Sequence, residues 1–222
     1  MHISPDTLSF LNRLAANNDR DWLQHHRDEY EAAWQNMKDF VEGLIIALAA
    51  TDRYISTDIP VNKCLFRIYR DTRFSKDKTP YKNWLGAGIS TAGRNINGPE
   101  YYIHIPPGNS FFASGYWRPV KEHLAAIRQE IDYNGEEITE ILAHPRFAEH
   151  CTLDRTDTLK RSPMGYDESH HHIGLLKLKS VTAVTALAES ELTAPNAIPL
   201  LVDRAEAMYP LKLFLHGALG DE

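Results

Sequence analysis

Cysteine is scarce: the 222 residues contain two, Cys64 and Cys151, far apart and in no paired motif. That excludes a disulfide scaffold. It leaves two reduced thiols as the simplest state, which fits a cytoplasmic protein. Long apolar runs are missing too. The longest, Leu44 to Ala50, has seven residues, against the ~20 that span a bilayer, so no membrane span is expected. Met1-His2-Ile3-Ser4-Pro5-Asp6 has neither the basic nor the apolar region of a signal peptide. Gly86, Gly88 and Gly93 are not followed by Gly-Lys-Ser/Thr, and no Gly-x-Ser-x-Gly elbow occurs. The phosphate loop and the common hydrolase signature are therefore absent, and no cofactor is implied by a motif. A large net charge is lacking as well: 24 Lys+Arg against 30 Asp+Glu leave −6, with 43% apolar and 24% charged residues. These are ordinary globular proportions, and the length fits one domain over 1–222.

What is present reads as helices around a run of strands. Ser4-Pro5-Asp6 is a helix start, followed by Leu8, Leu11 and Leu14 at helical spacing. Asp19 is placed to cap a longer helix in which Trp22, His26, Tyr30, Trp34, Met37, Val41, Leu44, Ile45 and Leu48 form one apolar and aromatic stripe, expected to be core. Strands are expected at Cys64–Arg70, Trp84–Thr91, Tyr101–Ile105 and Ser110–Trp117. The turns are Arg94-Asn95-Ile96-Asn97-Gly98-Pro99 and Pro106-Pro107-Gly108-Asn109. Such close spacing leaves no room for crossover helices, so the sheet should be mostly antiparallel. Helices follow from Pro119 to Asn134-Gly135, over Glu136–Ala143, and at Ala197–Leu219, where Pro210 should kink or split the last one. One more helical turn fits after Pro145, and Leu175–Val184 alternates like a strand. The expected class is α+β: a mostly antiparallel central sheet covered by N-terminal and C-terminal helices.

The charge is unevenly placed. Residues 61–82, VNKCLFRIYRDTRFSKDKTPYK, hold seven cations and two acids for a net of +5, so the other 200 residues carry −11. A basic cluster inside an acidic chain does not arise from bulk charge. Arg67 falls mid-strand in this reading, and needs either a carboxylate partner or a wet cleft. Guanidinium groups match phosphate or carboxylate as rigid forks. Arg67, Arg70 and Arg73 are therefore candidate anion clamps, with Lys76, Lys78 and Lys82 setting the field. Tyr69 would position the ligand, and Asp71, Asp77 and Tyr81 would do so or move protons. The competing reading pairs Arg70, Arg73 and Lys78 with Asp71, Asp77 and helix acids as a structural network.

The motifs Asn17-Asn18-Asp19-Arg20-Asp21-Trp22 and Arg67 through Lys82 resemble a bacterial family catalogued as domain of unknown function 2461. Tyr101-Tyr102-Ile103-His104, Gly115-Tyr116-Trp117-Arg118-Pro119 and Leu159-Lys160-Arg161-Ser162-Pro163-Met164-Gly165-Tyr166 extend the resemblance over nearly the whole length. The resemblance implies one domain. It also implies that Arg67, Arg70, Asp71, Arg73, Lys76, Asp77, Lys78 and Tyr81 belong to the family's own pattern. The family commonly has Met where Arg118 stands, so Arg118 is given no functional weight.

Other candidates are weaker. His104 shares a strand face with Tyr102 and becomes a general acid/base candidate if that face meets Arg67. Asp167-Glu168-Ser169-His170-His171-His172 has the chemistry of a Zn²⁺ or Ni²⁺ site. Adjacent residues converge on one ion only through a turn, so an exposed polar loop is expected there and no metal. Lys160-Arg161 reads as a solvated loop. His25 and His26 point about 100° apart on their helix, one to the core edge and one to solvent. The leading reading is an anionic small-molecule site at 67–82, with no reaction assigned. The alternatives are a nucleic-acid-binding or a protein-interaction module on the same basic surface, with Phe66, Tyr69, Phe74, Tyr81 and Trp84 as stacking platforms.

Overall fold

The computed structural model describes residues 1–94 and 96–220. Ser4 Oγ accepts from the Asp6 N–H at 3.2 Å and Pro5 takes the first helical position, which starts α1, Pro5–Ala16. Asp19 accepts from the Trp22 N–H at 2.8 Å and starts α2, Arg20–His25. The expected single long helix is two. His26 leaves the helical region (φ −113°, ψ 29°), and α3 begins afresh at Arg27 and ends at Ala49. The His26 ring stacks on Trp22 at 4.1 Å, with Nδ1 2.8 Å from the Trp22 carbonyl. The stripe keeps its phase through this break, which is why spacing alone does not reveal it. Met37, Val41, Leu44, Ile45 and Leu48 are buried as expected, whereas Trp22, Tyr30 and Trp34 are partly exposed.

The strand expected at Cys64–Arg70 does not form. Val61–Cys64 is a helical turn, α4, and the following residues pair only through isolated bridges, Leu65 to Ala87 and Tyr69 to Tyr81. Pro60 (φ −65°) sets the helical turn. The Arg94 guanidinium then takes the carbonyls of Asn62 and Lys63, each at 3.2 Å, and that of Leu65, the last a group that pairing of the expected strand would have used.

The central strands fall close to where they were expected: β1 Leu85–Ile89, β2 Glu100–Ile105 and β3 Ser110–Tyr116. Residues 106–109 join β2 to β3, while the other expected turn includes Asn95, which lies outside the described residues. Next comes α5, Lys121–Ala143, broken at Asn134 (φ −125°, ψ 31°) where its end was expected. It is followed by α6 Pro145–His150, β4 Thr152–Leu153, α7 Ile173–Leu176 and β5 Val181–Leu187. The strand expected from Leu175 therefore starts six residues late, because its first residues close into α7. The last elements are α8 Glu189–Thr193 and α9 Ala197–Ala218. Pro210 does not split α9; the residues beyond it, Leu211, Lys212, Phe214 and Leu215, are buried and hold the chain in line.

The strands form one antiparallel sheet in the order β1-β2-β3-β5-β4, with Thr152 opposite Val184 and Leu153 opposite Ala183. Gly115 (φ +133°) lets β3 approach β5 closely: an added Cβ would overlap the Val181 carbonyl. The fold is α+β.

Residues group into two compact units. The first comprises 1–94, 102–112 and 186–202. In it α1 packs on α3 and α3 on β1, around buried Phe10, Leu11, Leu14, Met37, Phe40 and Leu44. The second comprises, among the described residues, 96–101, 113–185 and 203–220. Here α5 packs on α6 and α7, with Ile127, Ile131 and Ile138 buried. Lys212 of α9 is fully buried, its Nζ 4.8 Å above the Tyr101 ring. Cys64 and Cys151 are buried, and neither is in a disulfide. Among the described residues no helix is long and apolar enough to cross a membrane.

Candidate functional site

The basic segment is a loop on an antiparallel base. The Arg70 N–H donates to the Pro80 carbonyl at 2.9 Å, and the Lys82 N–H to the Ile68 carbonyl at 2.7 Å. Asn18 fixes this base from α1's end: its Nδ2 donates to the Tyr81 carbonyl at 2.9 Å, and the Tyr81 N–H donates to its Oδ1 at 3.1 Å. The motif containing Asn18 is thus tied to the motif containing Tyr81.

Within the loop several charges answer one another. Arg70 pairs with Asp77 and donates to Thr79 Oγ1. Arg73 grips Asp71 through Nη2 at 2.7 Å and Nε at 3.0 Å. Lys78 Nζ donates to the Thr72 carbonyl at 2.8 Å. The structural-network reading therefore describes Arg70 and Arg73, although both pairs lie at the surface and not in a closed core. Arg67 is different. It is exposed and makes no ion pair among the described residues, and the same holds for Lys76. Lys82 Nζ donates to the Arg67 carbonyl at 2.7 Å.

Lys82 links the loop to the sheet. Its ammonium lies 5.8 Å from the Phe66 ring centre and 5.0 Å from that of Trp84; the Arg94 guanidinium lies 5.5 Å from the Phe66 centre. Phe66 meets Tyr102 edge-on at 5.8 Å, and Trp84 meets His104 at 4.4 Å. Tyr102 and His104 alternate outward on β2, and Phe111 of β3 lies 5.0 Å from His104. All five rings are partly exposed. The outer face of β2 and the basic segment thus meet through Phe66 and Trp84. Burial lowers the Lys82 pKa first, and the positive charges of Arg67 and Arg94 lower it further. These three cations therefore share one field.

The proton-transfer candidates have defined states. Asp77 is held down at about 2, first by Arg70 and then by the N–H and hydroxyl of Thr79; Asp71 is lowered by Arg73. Both are carboxylates at neutral pH and carry no proton to give. Tyr81 is buried, with its phenol pushed up chiefly by that burial, and its ring meets Tyr69 at 5.5 Å. Burial pushes His104 down to about 4, so at pH 7 it is neutral, its Nδ1 2.8 Å from the Tyr102 hydroxyl. Tyr69 is 59% exposed and Phe74 95% exposed, so both offer open ring surface.

The second unit has a cleft of about 480 Å³ lined by Arg118, Pro119, Leu124, Arg128, Asp157, Leu159 and Lys179. Arg118 adopts φ +48°, a strained backbone for a side-chain-bearing residue. Its cations are engaged: Lys179 lies 2.6 Å and Arg118 4.0 Å from Asp157, and Arg128 donates to the Leu176 and Leu178 carbonyls. Arg118, Pro119 and Leu159 fall within the family-like motifs, but nothing in the sequence brings them together with Arg128, Asp157 and Lys179, which lie apart in the chain. Lys160 and Arg161 are exposed, as expected. Likewise, His25 is exposed while His26 is half-buried.

No curated protein and no solved structure matches the chain. A family model does, over residues 6–214, a span that holds both the Asn18 motif and the basic loop it fixes. The chain belongs to the family described as conserved hypothetical protein (DUF2461).

Proposed function

We propose that the protein binds a phosphate- or carboxylate-bearing small molecule on the face where Arg67 and Lys82 border Phe66 and Trp84. The observation that carries this reading is Arg67: an exposed guanidinium in no ion pair among the described residues, acting on the Asp71 carboxylate, already gripped by Arg73, only through its charge, and in a shared positive field with Lys82 and Arg94. Arg67 and Lys82 hold the anion, and Lys76 adds to the field. Arg70, Arg73 and Lys78, already engaged within the loop, keep its shape. Tyr69, Phe66 and Trp84 supply flat surface for the rest of the ligand. Asp71, Asp77 and Tyr81 position the loop, and neutral His104 accepts or donates a hydrogen bond. A cytoplasmic location accompanies this reading, supported by two buried cysteines without a disulfide.

The test is a tryptophan-fluorescence titration with nucleoside monophosphates, citrate and inorganic phosphate. We expect a saturable change with at least one of them, lost in Trp84→Phe and in Arg67→Ala. No saturable change with any of them would overturn the reading. The row of partly exposed rings from Phe66 to Phe111 favours one second reading, a single nucleic-acid strand stacked on the same face. That reading requires oligonucleotide affinity that falls steeply with salt, against the −11 charge of the rest of the chain.

A further inference from the structure

The cluster at 167–172 is not the undifferentiated polar loop its sequence suggests. Asp167 accepts from the Ser169 N–H at 2.8 Å and from its hydroxyl at 2.6 Å. Glu168 pairs with Lys177 at 2.6 Å and accepts from the Ser162 N–H at 3.1 Å. These contacts fold the segment into a turn. His170 has both ring nitrogens engaged: Nδ1 accepts from the His172 N–H at 3.0 Å, so Nε2 carries the hydrogen and donates to Asp132 at 2.9 Å. Three members of the cluster thus shape the turn, and two imidazoles are left over.

Those two meet a carboxylate from α5. Glu136 Oε1 lies 3.5 Å from His172 Nε2 and 3.8 Å from His171 Nε2, and the three ligand atoms lie within 4.8 Å of one another. A tetrahedral Zn²⁺ with bonds of about 2.0–2.1 Å holds its ligands about 3.3–3.4 Å apart. Closing on an ion therefore needs small rotations of exposed side chains and no backbone movement. Gly135 is part of the arrangement. A Cβ there would overlap the His172 ring, so the imidazole lies directly on the helix at Gly135, between the break at Asn134 and Glu136. His172 is only 10% exposed and Glu136 and His171 are 73% and 81% exposed, so one ligand is fixed and the open side faces water.

We propose that Glu136, His171 and His172 form a Zn²⁺ site with at least one coordination position left for solvent. The Asp132–His170 pair orients the turn behind it, as outer-shell carboxylates and imidazoles do at metal centres. Adjacent histidines converge here because the turn built by Asp167, Glu168 and His170 points both rings at one helix residue.

The test uses tag-free full-length protein titrated with Zn²⁺ by calorimetry, with X-ray absorption at one equivalent. We expect one Zn²⁺ per chain, with a shell of two imidazole nitrogens and a carboxylate oxygen. Loss of an outer-shell partner typically weakens a site 10–100-fold, so Glu136→Gln and His172→Ala should each weaken binding at least about ten-fold. Glu136→Gln changes an exposed group, and an unchanged metal-free thermal midpoint shows that it folds. His25→Ala should leave affinity unchanged. Absence of binding, binding that survives Glu136→Gln, or a shell without two imidazoles would each overturn the proposal.

Discussion

Asn18 holds the backbone of Tyr81 from 63 residues away, donating to its carbonyl at 2.9 Å and accepting from its N–H at 3.1 Å. One carboxamide thereby satisfies both backbone groups of a residue at the base of the basic loop. Asn18→Ala leaves both without that partner, and about 1–3 kcal/mol of stability should be lost. Asn18→Asp keeps the acceptor only and should lose a similar amount. Urea denaturation measures both; an Asn18→Ala protein as stable as the parent would show that the clamp is incidental.

His104 makes stability depend on pH in a defined direction. In the unfolded chain an imidazole titrates near 6.5, but burial holds it at about 4 in the folded protein. Between these values the unfolded chain binds a proton that the folded one refuses. The contribution is therefore complete above pH 6.5 and is lost as pH falls to 4. The unfolding free energy of the parent should drop across that window by more than that of His104→Gln. Glu100, raised to about 7 by burial, acts in the opposite sense and cancels in the difference. Parallel pH profiles for the two proteins would contradict this assignment.

Two glycines in helical segments should respond oppositely to alanine. At Gly135 the new methyl meets the His172 ring, and a loss of about 1–3 kcal/mol is expected from overpacking. At Gly217 nothing lies within 4 Å, and a gain of up to about 1 kcal/mol is expected from reduced unfolded-state freedom. Thermal denaturation of both variants checks the pair.

The sequence reading expects one domain, and strands β2 and β3 each contribute residues to both compact units. We propose that the units unfold together. Urea titration followed by tryptophan fluorescence and by circular dichroism should give coincident single transitions; separated midpoints would show two domains.

Features set by near neighbours were legible in the sequence. The Ser4 and Asp19 caps, the β2–β3 hairpin and the break at Asn134 depend on residues a few positions apart. What escaped depends on distant groups. Cys64–Arg70 has strand-forming residues, yet Arg94, some thirty positions on, takes the Leu65 carbonyl and those of Asn62 and Lys63 just before the segment. The stripe from Trp22 to Leu48 stays in phase across His26, so periodicity cannot report the break. At the proposed site, composition drew attention to residues 61–82, but a net +5 hides that Arg70 and Arg73 are ion-paired with Asp77 and Asp71 while Arg67 is in no ion pair among the described residues. The three histidines looked equivalent until Asp132 engaged one and Glu136 faced the other two.

The most direct test of the Arg67–Lys82 anion site is the thermal midpoint with millimolar inorganic phosphate, adenosine monophosphate or citrate, in the parent and in Arg67→Glu. A ligand at ten times its Kd adds about 1.4 kcal/mol to the folded state, a rise of about 3–5 °C for a chain of this size. The account predicts that rise with at least one of the three in the parent and its loss in Arg67→Glu. An unchanged parent midpoint with all three, or an equal rise in both proteins, would contradict it.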